Sequence, residues 1–144
     1  MKRTLALAAA LLLVVAACGG DDDAGGDDAS GLTVSSSELG EILIDADGMT
    51  LYLFVPDQAG ESTCYDQCED NWPPLYDDEL GDVGGDVDEG LLGTADRTDG
   101  TVQLTYNGWP LYRFAADAAA GDTNGQGVNE VWWVVSPAGT AIES

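Results

Sequence analysis

The order of apolar and polar residues divides the chain into three stretches. Leu5 to Val15 is an unbroken run of Ala, Leu and Val, residues 19–30 hold nothing apolar larger than Ala, and from residue 31 short alternations are punctuated by glycine. An apolar–polar period of two marks half-buried β-strands. Val102, Leu104 and Tyr106 alternate with Thr101, Gln103 and Thr105, and Asn107-Gly108 follows, a pair suited to the two left-handed positions of a tight hairpin turn. Trp109–Phe114 is expected to return antiparallel, and Leu91–Asp96 to add a strand across a turn at Thr98-Asp99-Gly100. Earlier in the chain, Ile42–Asp45, a turn at Ala46-Asp47-Gly48 and Thr50–Val55 read the same way. Val131–Val135 reads as a buried strand ended by Ser136-Pro137. Trp72-Pro73-Pro74-Leu75 cannot be a regular central strand, because its prolines lack ladder donors. Helix is limited to a turn or two around Cys64–Asn71, and the acidic, glycine-rich Asp77–Glu89 reads as a linker.

Two of these stretches match each other without gaps. Leu51-Tyr52 falls on Leu111-Tyr112, an offset of 60 residues that also superimposes Leu32 on Leu92, Gly40 on Gly100, Gly48 on Gly108, Phe54 on Phe114, Asp57 on Asp117, Thr63 on Thr123 and Trp72 on Trp132. Ile42 falls on Val102 and Ile44 on Leu104, matched in type. The chain from 31 to 144 is therefore expected to be a mainly β, small antiparallel domain with little helix. It is built from two tandem repeats of about 46 residues, 31–76 and 91–136.

The N-terminal stretches predict export. Lys2 and Arg3 precede the apolar run, which is too short to span a bilayer, and Val15-Ala16-Ala17-Cys18 has the form of a lipobox. Residues 1–17 are read as a signal peptide, and Cys18 as the lipidated first residue of the mature protein. Residues 19–30, with five aspartates and four glycines, form an acidic tether expected to be disordered, reaching at most about 40 Å. The expected location is the cell membrane, lipid-anchored on its extracytoplasmic face.

Charge and missing residue types then narrow the chemistry. Without residues 1–17, two arginines (Arg97 and Arg113) face 27 acids, a formal charge of −25. Such a chain repels nucleic acid and attracts cations. It has no histidine, and its one lysine lies in the leader. Histidine triads, histidine metal sites, Schiff-base lysines and P-loop lysines are excluded. A carboxylate-pair glycosidase survives only formally, since two nearby acids among 27 carry no information. The expectation is a non-enzymatic binding or structural surface module without a metal or cofactor.

Cys64 and Cys68 remain after Cys18. In an oxidising compartment such a pair reads most simply as a disulfide, and a redox or copper-handling role through the same two sulfurs is the alternative. Asp122-Thr-Asn124-Gly-Gln126-Gly127 begins like a calcium loop, but the twelfth position, where a bidentate glutamate belongs, is Trp133. Adjacent Trp132 and Trp133 face opposite ways on a strand, so an exposed one could serve a glycan. Cation, small-molecule and glycan ligands are the candidates.

The segments Tyr52-Leu-Phe54-Val-Pro-Asp57 and Tyr112-Arg-Phe114-Ala-Ala-Asp117 share the form Tyr-x-Phe-x-x-Asp. Together with the lipobox, the Cys-x-x-x-Cys before Trp-Pro-Pro, Tyr-Asn-Gly-Trp-Pro-Leu-Tyr and Gly-Asp-Thr-Asn-Gly-Gln-Gly, they resemble the bacterial predicted lipoproteins with a Tyr-x-(Phe/Trp/Tyr)-x-x-Asp motif, the secreted repeat of unknown function. The resemblance implies a lipid-anchored tandem-repeat protein and brings no activity. On a strand, Tyr52 and Phe54 share one face, and Leu51, Leu53 and Val55 the other. A functional reading pairs tyrosine and carboxylate within each unit to grip a ligand. A structural reading buries Phe54 and Phe114, leaves the tyrosine hydroxyls at a polar rim, and closes each turn with Asp57 or Asp117. The structural reading is preferred.

Overall fold

A computed structural model describes residues 31–58 and 60–143. The leader, Cys18 and the tether lie outside the described residues. Among the described residues eight short strands form three antiparallel sheets. β1 (Thr33–Ser37) pairs with β2 (Gly40–Ile44). β4 (Leu92–Asp96), β5 (Val102–Tyr106) and β6 (Trp109–Pro110) form the second sheet. β3 (Tyr52–Phe54) pairs with β7 (Trp132–Val135), which pairs with β8 (Ala141–Ile142). Among the described residues the one α-helical turn, α1 (Gln67–Asn71), falls where expected, while 3-10 turns at Val55–Asp57, Asp77–Glu79, Glu89–Leu91 and Val128–Glu130 lie outside the stretch to which helix was expected to be limited. Asn107 and Gly108 take φ of 54° and 84°, the left-handed pair that the hairpin requires. The return strand is shorter than expected: Pro110 has no N–H, regular pairing ends there, and Tyr112 instead bridges Tyr52 and Pro74.

Strand alternation splits the interior into two cores. Leu51 and Leu53 enter an aliphatic core with Leu32, Leu43, Leu104 and Leu111. Tyr52, between them, enters an aromatic core with Tyr112, Trp72 and Trp132. The stretch expected as a linker is a packed strap. Leu80 and Val83 lie against the aliphatic core and Val87 within it. Leu32 donates to the Leu80 carbonyl at 3.3 Å, and Gly84 to the Leu32 carbonyl at 2.8 Å.

The ungapped match between the repeats fails at one strand. In the first unit a two-residue turn, Glu38-Leu39, joins β1 to β2, whereas three residues, 98–100, turn β4 into β5. The next connection compensates: Leu51 donates to the Leu43 carbonyl across seven intervening residues, and Leu111 to the Leu104 carbonyl across six. Leu43 therefore corresponds to Leu104, and Ile42 to Gln103. A one-residue slip turns every side chain of a strand over, which is why Ile42 is 1 % exposed and its ungapped counterpart Val102 is 36 % exposed.

The two units are interleaved. Tyr52 and Tyr112 exchange backbone hydrogen bonds of 2.8 and 3.0 Å about a local two-fold. The last strand of the second unit pairs with β3 of the first, Tyr52 opposite Val134. Reciprocally, Pro74 of the first unit lies opposite Tyr112 of the second. Val55 donates to the Val131 carbonyl and Ala115 to the Asn71 carbonyl, both at 2.8 Å. Each unit supplies the strand end that completes the other.

Candidate functional site

Both Tyr-x-Phe-x-x-Asp segments run from an extended stretch into a tight turn. Pro56, without an N–H, helps start the 3-10 turn Val55–Asp57 after β3, and Asp117 donates its N–H to the Phe114 carbonyl at 3.0 Å. Asp57 Oδ1 accepts from Thr63 N at 2.8 Å and Thr63 Oγ1 at 2.6 Å, and Asp117 Oδ1 from Asn124 N at 2.9 Å. These are the turn-closing bonds expected of the motif aspartates.

The other carboxylate oxygens cross between the units. Tyr112 Oη donates to Asp57 Oδ2 at 2.5 Å, and Tyr52 Oη to Asp117 Oδ2 at 2.7 Å. The tyrosine–carboxylate pairs exist, but neither lies within one repeat, and all four residues are buried. The expected placement of the rings is also reversed. Both tyrosines are fully enclosed, while Phe54 and Phe114 are only half-buried at the edge of the aromatic core. A phenol can go deeper than expected because its hydroxyl meets a buried acceptor.

The rings themselves form a crossed stack. Trp72 and Trp132 are parallel, 1° apart in plane and 3.7 Å between centroids. Phe54 stacks on Trp132 at 4.1 Å, and Phe114 on Trp72 at 4.0 Å. Tyr52 meets Trp72 edge-on at 5.4 Å, as Tyr112 meets Trp132 at 5.2 Å.

Burial sets the acid–base character of the pairs. Desolvation raises the Asp57 and Asp117 carboxyls above the usual range, against the lowering effect of the hydrogen bonds they accept. The Tyr52 and Tyr112 hydroxyls are pushed well above their ordinary value, first by burial and then by the facing carboxylate.

The surroundings of the two pairs differ. Ser62 Oγ lies 2.6 Å from Tyr112 Oη and accepts from Arg97 Nη1 at 2.7 Å. The same nitrogen reaches Gln103 Oε1, and Arg97 Nη2 reaches the Cys64 carbonyl and Glu69 Oε1. Arg97, fully buried, lies 4.3 Å from the centre of the Tyr65 ring. Cys64 and Cys68 form the disulfide, with Cα atoms 5.2 Å apart, and so brace the turn carrying the Cys64 carbonyl. At the other pair, Tyr52 Oη accepts only a backbone donor, Gly125 N at 3.1 Å. A Cβ on Gly125 would come within 2.8 Å of the Trp72 ring and 2.9 Å of the Tyr52 ring. Arg97, Ser62, Gln103 and Gly125 were not singled out by sequence reasoning. Arg97 could have been, as one of the two arginines that follow residue 17 among 27 acids.

The remaining candidates serve the fold. Asp122 Oδ2 accepts from the Ala118 and Ala119 amides. Gln126 joins the Ile142 carbonyl to the Val134 amide. Trp132 is buried in the aromatic core, and Trp133, half-buried, packs on the aliphatic core. Among the described residues no three acidic or cysteine side chains gather as metal ligands, and no helix is long and apolar enough to cross a membrane.

Comparison with curated proteins and with solved structures returns no match. A family model described as a secreted repeat of unknown function matches twice, at residues 33–76 and 93–136. These spans end close to the boundaries of the interleaved units, and both contain the crossed tyrosine and aspartate. The chain belongs to the family of secreted repeats of unknown function.

Proposed function

We propose that this protein is a lipid-anchored, extracytoplasmic surface module that is structural or binding in role rather than catalytic. The observation that carries this reading is the burial of both tyrosine–aspartate pairs, with their hydrogen-bonding capacity committed to each other, to backbone amides and to the Thr63 and Ser62 hydroxyls. The motif therefore serves to join two repeats, and recognition falls to the exterior. That exterior is anionic. Arg97 is enclosed, and Arg113 is paired with Asp45 at 2.5 Å and Glu79 at 2.6 Å. Such a surface favours cations or basic partners and resists collapse onto anionic lipid headgroups. The copper alternative needs two thiols, and here the sulfurs are joined, with Cys64 fully buried.

The lipobox supports anchoring, since acylation at Cys18 with two or more chains gives stable membrane attachment. Metabolic labelling with a fatty-acid analogue tests it. The full chain is expected to carry the label and sediment with membranes, and Cys18→Ser to lose both. A labelled, membrane-bound Cys18→Ser protein would contradict the anchor.

A further inference from the structure

We propose that the stacked Trp72–Trp132 pair and the two crossed tyrosine–aspartate pairs form a one-electron relay. It takes an oxidising equivalent from a cationic, metal-centred one-electron oxidant and holds it as a buried tyrosyl radical. The two indoles are parallel at 3.7 Å, so a positive charge on one faces the π-cloud of the other, an arrangement that stabilises cations. Phe54 and Phe114 continue the stack at 4.1 and 4.0 Å and, half-buried, bring its two ends to the surface. Each indole has a tyrosine ring edge-on at 5.4 or 5.2 Å. Each of those phenols already donates a hydrogen bond to a carboxylate oxygen at 2.7 or 2.5 Å.

The oxidant gains one electron and the Trp72–Trp132 pair becomes a radical cation. Tyr52 or Tyr112 passes one electron to the pair, restoring both indoles, while its phenolic proton moves to Asp117 Oδ2 or Asp57 Oδ2. The products are the reduced metal complex, a neutral tyrosyl radical and a protonated aspartate. Oδ1 of each aspartate is held by the turn, by Thr63 or Asn124, which leaves Oδ2 aimed at the phenol. Burial, which disfavours the carboxylate's charge, assists it as a proton acceptor. The anionic exterior concentrates a cationic oxidant at the surface.

The test is flash photo-oxidation of the full chain with the tris-bipyridyl ruthenium dication and a cobalt(III) ammine as irreversible electron acceptor. The tryptophanyl and tyrosyl radicals are followed by transient absorption and electron paramagnetic resonance. The relay predicts that a tryptophanyl signal gives way to a tyrosyl signal, more slowly in D2O than in H2O. In Tyr52→Phe/Tyr112→Phe the tryptophanyl radical should live about tenfold longer or more, with the tyrosyl signal lost. Near-ultraviolet circular dichroism of the stacked indoles checks that this variant keeps the core. A tyrosyl yield unchanged in the double variant, arising from Tyr65, Tyr76 or Tyr106, would overturn the proposal. So would decay of the wild-type tryptophanyl radical with no tyrosyl product or no isotope effect, a result that needs no variant.

Discussion

The two tyrosine–aspartate pairs are built on the same motif and supported by different means. Around Tyr112 and Asp57 the support is a buried cation. Arg97 reaches Ser62, Gln103, Glu69 and the Cys64 carbonyl, beside a disulfide. Around Tyr52 and Asp117 it is backbone, the Gly125 and Asn124 amides. The charges nearby also differ in sign: Arg97 works to lower the Asp57 carboxyl, whereas Asp122 works to raise that of Asp117. The geometry that both halves keep is the crossed bond and the ring stack. What they do not share is the means of holding it, so the pairing between units is what the motif specifies.

The largest effect should come from removing the cation. Arg97→Met leaves Ser62, Gln103 and the Cys64 carbonyl without their donor and takes positive charge away from buried Asp57, a loss of about 3–5 kcal/mol in a urea unfolding titration. A loss below about 1 kcal/mol would mean that the arginine is a bystander in this half.

Gly125→Ala attacks the other half by crowding. Its methyl would meet the Trp72 and Tyr52 rings below normal contact distance, which should cost about 1–3 kcal/mol and weaken the near-ultraviolet circular dichroism of the stack. An alanine variant with full stability and an unchanged spectrum would show that the glycine is not needed for close approach.

The smallest effect is in pH dependence. Both motif carboxyls sit above their unfolded value in the folded state, so the fold binds their protons more tightly than the unfolded chain. Their contribution is fully present below the unfolded value and declines as pH rises through the folded one. Stability should therefore increase as the pH falls through the folded value towards the unfolded one of 3.8. Part of that slope should disappear in Asp57→Asn/Asp117→Asn. An identical slope in the variant would assign it to surface acids alone.

Local patterning foretold the local structure, and nothing in it encoded the crossing. Alternation placed Leu51 and Leu53 on one face and Tyr52 on the other, and the two cores follow that division. Asn107-Gly108 marked its hairpin for a backbone reason that a single dipeptide carries. The partners of Tyr52 and Tyr112 lie 65 and 55 residues away, and a repeat alignment says that two units are alike without saying whether they sit side by side or exchange parts. The slip at β2 stayed hidden because two turns of unequal length compensate, and because Ile42 and Val102 are alike in type though opposite in burial. Leu80, Val83 and Val87 were lost among the acids and glycines of their segment, yet these three apolar residues and the backbone bonds to Leu32 tie it down.

Double-mutant cycles across the four tyrosine–aspartate combinations test the interleaving directly. With Tyr→Phe and Asp→Asn changes, the crossed combinations Tyr52/Asp117 and Tyr112/Asp57 should each show a coupling of about 1–3 kcal/mol, and Tyr52/Asp57 and Tyr112/Asp117 should be additive within about 0.5 kcal/mol. Coupling confined to residues of the same repeat would contradict the exchanged arrangement.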